Sequence, residues 1–205
     1  MDRVMFWKDY GKLVRRLWLN LFGAAVFGFM LSSCTTFLAE KSPDHAVLIY
    51  VISGVVGMFF YCYLLYLVIW EAGASDRIRV DGGRITPRPH KGALIALAFS
   101  APALIAVFLY FAATLLIDNA GVENGVVNGV SNVSVLVAYL FDLPYVGYAL
   151  ALFGQLGKHI AEAGQRMPYA IYLFLMMLPA AAVIWGGYLL GYHGKLMSRV
   201  YKKKK

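Results

Sequence analysis

The sequence predicts an all-α membrane protein, and three observations support that class. Of the 205 residues, 60% are hydrophobic and only 15% are charged, whereas soluble domains carry about 25% charged residues. Residues 169–192 contain no charged residue and are long enough to cross a bilayer as a helix. Basic residues follow from Lys195 to Lys205, a pattern typical of the cytoplasmic end of a span. We therefore expect one integral membrane domain over residues 1–205.

Four transmembrane helices are expected, each an apolar stretch bounded by charged or turn residues. They cover about residues 17–39, 46–70, 92–117 and 169–192. A short amphipathic helix at 3–16 is expected to lie at the membrane surface before the first span. With both termini in the cytoplasm, all Lys and Arg residues except Lys41, Lys158 and Arg166 lie on that side. This topology follows the positive-inside rule.

The connection between the second and third spans predicts a small cytoplasmic β-hairpin. Apolar and charged residues alternate on both sides of Asp81-Gly82-Gly83, and an Asp-Gly pair is typical of a hairpin turn. The simplest interpretation of the basic residues in this connection is a solvated loop whose positive charge keeps it on the cytoplasmic side. The alternative is contact with anionic lipid headgroups or a protein partner. The candidate contact residues are Arg77, Arg79, Arg84 and Arg88.

Residues 118–168 are expected on the outer side as amphipathic or re-entrant helices. The apolar stretch at 133–157 suggests a fifth span, but Asp142 and Pro144 divide it into pieces too short to cross alone. A fifth span would also place the C-terminal basic residues outside. The polar residues here are candidates for lining an outward-facing cavity. They are Asp142, Tyr145, Tyr148, Gln155 and His159.

Small residues at helical spacing predict two packing faces, within the chain or between copies. The third span carries Gly92, Ala96 and Ser100, and the fourth carries Gly187 and Gly191.

No catalytic, cofactor or metal motif is present in the sequence. Cys34 and Cys62 form neither a disulfide framework nor a metal-binding spacing. The net charge is +8, and most of the basic residues flank apolar stretches. This pattern indicates anionic headgroups rather than nucleic acid as the partner. The run from Leu31 to Cys34 resembles a bacterial lipobox. The apolar stretch continues past Cys34, which favours a span, and lipidation at Cys34 is the alternative.

The leading functional hypothesis is a non-enzymatic accessory subunit or scaffold that packs against another membrane protein or a second copy of itself. Its four expected spans have packing faces but no deeply placed charge, which ion-coupled transporters usually need. The alternative is a small transporter or channel with an outward-facing polar cavity near residues 142–159.

Two stretches, at residues 76–92 and 187–203, resemble uncharacterised small multi-pass membrane proteins of Firmicutes, especially Clostridia. The resemblance implies a bacterial cytoplasmic membrane and supplies no activity. A eukaryotic origin is the alternative. In that case Lys202 and Lys203 would form a dilysine retrieval signal, and Asn132-Val133-Ser134 a glycosylation sequon.

Overall fold

The computed structural model describes residues 2–86, 88, 90–120, 125–153 and 166–194, with side chains described outside 2–9 and 118–120. This part of the chain is helical, and it contains no β-strand. The helices are α1 (Asp2–Lys41), α2 (Ala46–Asp81), α3 (Lys91–Ala120), α4 (Gly125–Asp142), α5 (Val146–Phe153) and α6 (Arg166–His193). Short 3-10 turns precede α2 (Pro43–His45) and α5 (Leu143–Tyr145).

The described part of the chain contains five helical stretches long and apolar enough to cross a membrane, so the prediction of four is wrong. They are Tyr10–Lys41, Pro43–Asp81, Lys91–Ile117, Gly125–Phe153 and Arg166–His193. The additional stretch joins α4, the second 3-10 turn and α5, where an outer amphipathic segment was expected. Asp142 keeps a right-handed helical conformation (φ −87°, ψ −19°), and Pro144 lies in the first turn of the 3-10 helix. Proline is tolerated there because the first N–H groups of a helix have no partner within it.

The predicted β-hairpin is also wrong, because α2 continues through Asp81. Gly83 has φ +66°, the left-handed conformation that ends many helices. Its N–H donates to the Val80 carbonyl at 2.9 Å, and the Arg84 N–H donates to the Arg79 carbonyl at 2.9 Å. These two bonds form a Schellman cap. The Asp-Gly-Gly sequence therefore ends a helix, and Arg77 and Arg79 lie on its last turns.

Contacts divide the chain into two compact units. Unit 1 contains Met1–Asn20, Cys62–Ser100 and Pro179–Lys205, and unit 2 contains Leu21–Tyr61 and Ala101–Leu178. The helices α1, α2, α3 and α6 each contribute to both units, whereas α4 and α5 belong to unit 2 alone.

Unit 1 has an apolar core drawn from all four of its helical segments. Leu17, Leu65, Ile69, Ile95 and Ile184 are fully buried. The Trp18 and Phe99 rings join α1 to α3 with their centroids 6.1 Å apart. The Asn20 side chain donates a hydrogen bond to the Leu64 carbonyl at 3.3 Å. Asn20, a polar residue within an apolar stretch, therefore joins α1 to α2.

Unit 2 depends on close backbone approaches at glycine. A Cβ atom on Gly28 would overlap the carbonyl oxygen of Leu143, and one on Gly57 would overlap that of Pro144. The second 3-10 turn therefore contacts both α1 and α2. One turn further on, Gly147 lies against the backbone of Gly54 on α2. Small residues at such points allow helices in membranes to approach closely.

We expect Gly147→Ala to destabilise the protein by about 1–3 kcal/mol, because the added methyl group would overlap backbone atoms of α2. The matched control is Gly129→Ala on α4, where a Cβ meets nothing within 4 Å. The control should leave stability unchanged or raise it, since alanine favours helix more than glycine does. Thermal unfolding of both variants in detergent measures the difference. Equal unfolding midpoints would contradict the packing described for α5.

Candidate functional site

A buried carboxylate in unit 2 is the first candidate site. Asp142 is the last residue of α4 and is only 1% exposed. It lies on the buried face of that helix, which it shares with Ser131, Ser134, Val135, Ala138 and Phe141. The Tyr172 hydroxyl of α6 donates to Asp142 Oδ1 at 2.8 Å. Within the described residues, Asp142 Oδ2 has no hydrogen-bond partner.

Aromatic rings pack against one another on the segments that carry this carboxylate and its donor Tyr172. Tyr145 is 1% exposed, and its ring packs edge-on against Tyr61 of α2, with centroids 5.7 Å apart. Phe153 packs edge-on against both Tyr169 and Tyr172 at 5.5 Å. The donor to Asp142 is therefore packed against aromatic rings.

The described residues supply no ion pair to Asp142. An ionised carboxylate in such surroundings costs several kcal/mol unless it is paired. The atom of Asp142 that is left without a partner among the described residues is Oδ2.

The structure brings together only part of the predicted cavity lining. Asp142 and Tyr145 are adjacent to the same Tyr172 hydroxyl, which lies 3.4 Å from the Tyr145 carbonyl oxygen. Tyr148 instead lies against Gly54. Gln155 and His159 lie outside the described residues. The outward-facing cavity itself stays a prediction.

A second buried carboxylate lies in unit 1. Asp76, on the last turns of α2, is 5% exposed. Its Oδ2 atom accepts hydrogen bonds from the Lys91 ammonium group at 2.5 Å and from the Tyr188 hydroxyl at 2.9 Å. Gly92 makes room for Tyr188, because a Cβ at position 92 would lie 2.8 Å from the Tyr188 Cβ. Unlike Asp142, Asp76 therefore has a cationic partner.

This ion pair borders a cleft of about 360 Å³ that is rich in basic side chains. Its charged lining residues on α1 are Lys12, Arg15 and Arg16. Glu71, Asp76 and Arg79 come from α2, and Lys91 comes from α3. Sequence reasoning missed the cleft because these residues are far apart in the chain. The only available signal was the run of basic residues at both ends of apolar stretches.

The four arginines predicted to contact lipid or a partner lie in different environments. Arg79 lines the cleft. Arg77 donates to the His193 carbonyl at 2.7 Å and lies 3.5 Å from Asp81. Arg84 is exposed and Arg88 is half-buried.

The small-residue faces pack within unit 1. A Cβ on Gly187 would lie 2.6 Å from the Ile69 side chain, and one on Gly191 would overlap the Trp70 carbonyl oxygen. Both contacts join α6 to α2, whereas Gly92 contacts Tyr188. Ala96 and Ser100 are buried at 7% and 6% exposure.

The described residues contain no group of three or more His, Cys, Asp or Glu side chains able to hold a metal ion. Cys34 is exposed and Cys62 is half-buried, both as free thiols.

No protein-family model matches this chain, and no curated protein or solved structure is significantly similar to it. The resemblance to membrane proteins of Firmicutes and the expected lack of enzymatic activity therefore stay predictions. The apolar helices define the class of protein: a multi-pass integral membrane protein.

We expect Asp76→Asn to lower the free energy of unfolding by up to about 3–5 kcal/mol, because it leaves the part-buried Lys91 ammonium group without its charge partner. The double variant Asp76→Asn/Lys91→Met should recover most of that loss. As a control, Asp81→Asn breaks the exposed pair with Arg77 and should cost at most about 1 kcal/mol. Unfolding in detergent monitored by circular dichroism tests all three. Equal losses in the Asp76 and Asp81 variants would contradict the buried pair.

Proposed function

We propose that this integral membrane protein carries protons as part of a transport cycle, with Asp142 as the group that is protonated and deprotonated. One observation supports this choice above the others. Asp142 is a buried acid on an apolar helix, with no ion pair among the described residues. Ionisable residues inside membrane helices are costly and typically mark proton relays or ion pathways.

The surroundings of Asp142 suit a group that changes its protonation state. When a proton binds Oδ2, the carboxylate becomes neutral and Oδ1 still accepts the hydrogen bond from Tyr172. When the proton leaves, the negative charge returns and the same hydroxyl stabilises it. Tyr172 thus orients the carboxylate in both states, and one positive charge moves in each step.

The alternative, a scaffold that works through helix packing, has less support in the geometry. The glycines that suggested it, Gly92, Gly187 and Gly191, lie against α6 or α2 of the same chain. They explain packing within the chain without a partner. A partner protein or a second copy stays a prediction that rests on the sequence pattern alone.

We infer that the basic end of unit 1 faces the cytoplasm of a bacterial cell. Unit 1 collects the start of α1, the end of α2, the start of α3 and the end of α6. The Arg77 side chain binds the His193 carbonyl, so the end of α6 lies beside the end of α2. Basic residues concentrate in these segments, and the positive-inside rule assigns such a cluster to the cytoplasmic side.

Topology reporters test that inference. Fusions after Thr86 and after Lys205 should both report the cytoplasm, and an insertion after Gly125 should report the opposite side. The inference requires that one of the five stretches long enough to cross does not cross completely, and Gly125–Phe153, with its 3-10 turn at Leu143–Tyr145, is that stretch. Reporters on opposite sides for the first two fusions, as five full crossings would produce, would contradict it.

The proton-carrier proposal predicts that Asp142→Asn abolishes proton movement. Purified protein is placed in liposomes that contain a pH-sensitive dye, and a membrane potential is applied with potassium and valinomycin. The pH of the lumen should change faster in liposomes with the wild type than in empty liposomes. With Asp142→Asn, the rate of pH change should equal that of empty liposomes. Asparagine preserves the size of the side chain and can still accept the Tyr172 hydrogen bond.

The matched control is Asp44→Asn, which removes an exposed carboxylate from the 3-10 turn before α2 and should keep the wild-type rate. Infrared spectroscopy gives an independent test. The carbonyl band of a protonated carboxyl group should be present in the wild type and in Asp44→Asn but absent in Asp142→Asn. A wild-type rate in Asp142→Asn, or no proton movement in the wild type, would refute the proposal.

A further inference from the structure

We propose that the basic cleft of unit 1 binds the phosphate group of an anionic glycerophospholipid. This inference concerns a site in unit 1 and does not depend on proton movement through Asp142. It rests on three features of the cleft: its charge, its origin in three helices and its mixed polar and apolar wall.

The described lining of the cleft carries more cationic groups than acids. Lys12, Arg15, Arg16, Arg79 and Lys91 contribute cationic groups, and Glu71 and Asp76 contribute the two acids. Asp76 is already held by Lys91 and Tyr188. Among the lining residues, five cationic groups stand against two acids. Anions are the ligands that such a surface favours, and arginine binds phosphate oxygens through two parallel hydrogen bonds.

The basic residues converge from separate places in the chain. Arg15 lies on α1 and Arg79 on the end of α2, and both line the same concave surface. Basic residues that only fix orientation need no common cleft, because the positive-inside effect depends on their number near a span. A bound anion, in contrast, requires that several basic side chains line the same cavity.

The apolar part of the wall favours a lipid over a soluble phosphate. Leu13, Val68 and Ala72 line the cleft together with the basic groups. The cleft occurs where long apolar helices carry their charged ends, which is the level of lipid headgroups. A phospholipid would place its phosphate on the arginines and the first part of its acyl chains against these apolar residues.

The test compares two arginines near the end of α2 that differ in position. Arg79 lines the cleft, whereas Arg84 lies beyond the helix cap, is exposed and is not part of the lining. The full-length protein is placed in phosphatidylcholine nanodiscs that contain a minor fraction of phosphatidylglycerol. Native mass spectrometry then counts the phosphatidylglycerol molecules that remain bound after release from the disc.

We expect the wild type to retain phosphatidylglycerol over phosphatidylcholine. Arg79→Gln and Arg15→Gln should each weaken retention roughly fivefold, the effect typical of one basic residue near an anionic headgroup. Arg84→Gln should retain the lipid as the wild type does. Arg79→Lys should recover part of the loss, since it restores the charge but not the paired hydrogen bonds.

Two outcomes would overturn the proposal. Equal losses in Arg79→Gln and Arg84→Gln would mean diffuse attraction by the whole basic surface. Displacement of the lipid by inorganic phosphate or glycerol phosphate at equal concentration would mean that the cleft selects a soluble anion. Circular dichroism of each variant checks that the helices are intact. Arg15, Arg79 and Arg84 are all exposed, so their substitution leaves the core unchanged.

Discussion

Two tyrosine hydroxyl groups on α6 donate hydrogen bonds to the two buried carboxylates of the described residues, one in each unit. Tyr172 donates to Asp142 in unit 2, and Tyr188 donates to Asp76 in unit 1. A buried carboxylate without such a donor would cost several kcal/mol, so α6 must place a tyrosine at each point. In unit 1 this placement needs Gly92, because a larger residue would overlap Tyr188. The position of α6 is thus set by polar contacts as well as by apolar packing.

The difference between the two carboxylates is the basis for the role proposed for Asp142. Asp76 has an ammonium group and a hydroxyl on one oxygen, so its charge is compensated inside the protein. Asp142 has only the hydroxyl within the described residues. A charge that the protein does not compensate can be compensated by a proton that comes and goes. The proposed role of Asp142 and the structural role of Asp76 thus differ because their neighbours differ.

The helical class and the apolar stretches of α1, α2, α3 and α6 could be predicted from composition and length, because hydrophobic length alone limits what crosses a bilayer. The helical structure around Asp142 could not be predicted in this way, because its partner Tyr172 is 30 residues away and no local rule links the two residues. The sequence Asp81-Gly82-Gly83 led to the wrong prediction of a β-hairpin for another reason. A hairpin turn and a helix cap both need glycine in the left-handed conformation. Asp142 and Tyr145 were recognised as candidates, but the pair of Asp76 and Lys91 depends on contacts between helices that sequence spacing does not show.

The exposed surface gives a separate reason to place these helices in lipid. Phe29, Phe59 and Phe108 are 64%, 67% and 71% exposed, on three different helices, while the carboxylates of Asp76 and Asp142 are buried. Lipid chains solvate such side chains as well as a protein core does, so apolar burial does not hold these helices together. Stability must then come from close packing and from the few polar contacts between helices. Among the described residues these contacts include the glycine contacts of α2 with α5 and α6, the hydrogen bond of Asn20 to α2, and the hydrogen bonds at Asp76 and Asp142. A single added methyl group or a lost carboxylate therefore removes a larger share of the stabilising contacts than it would in a soluble protein.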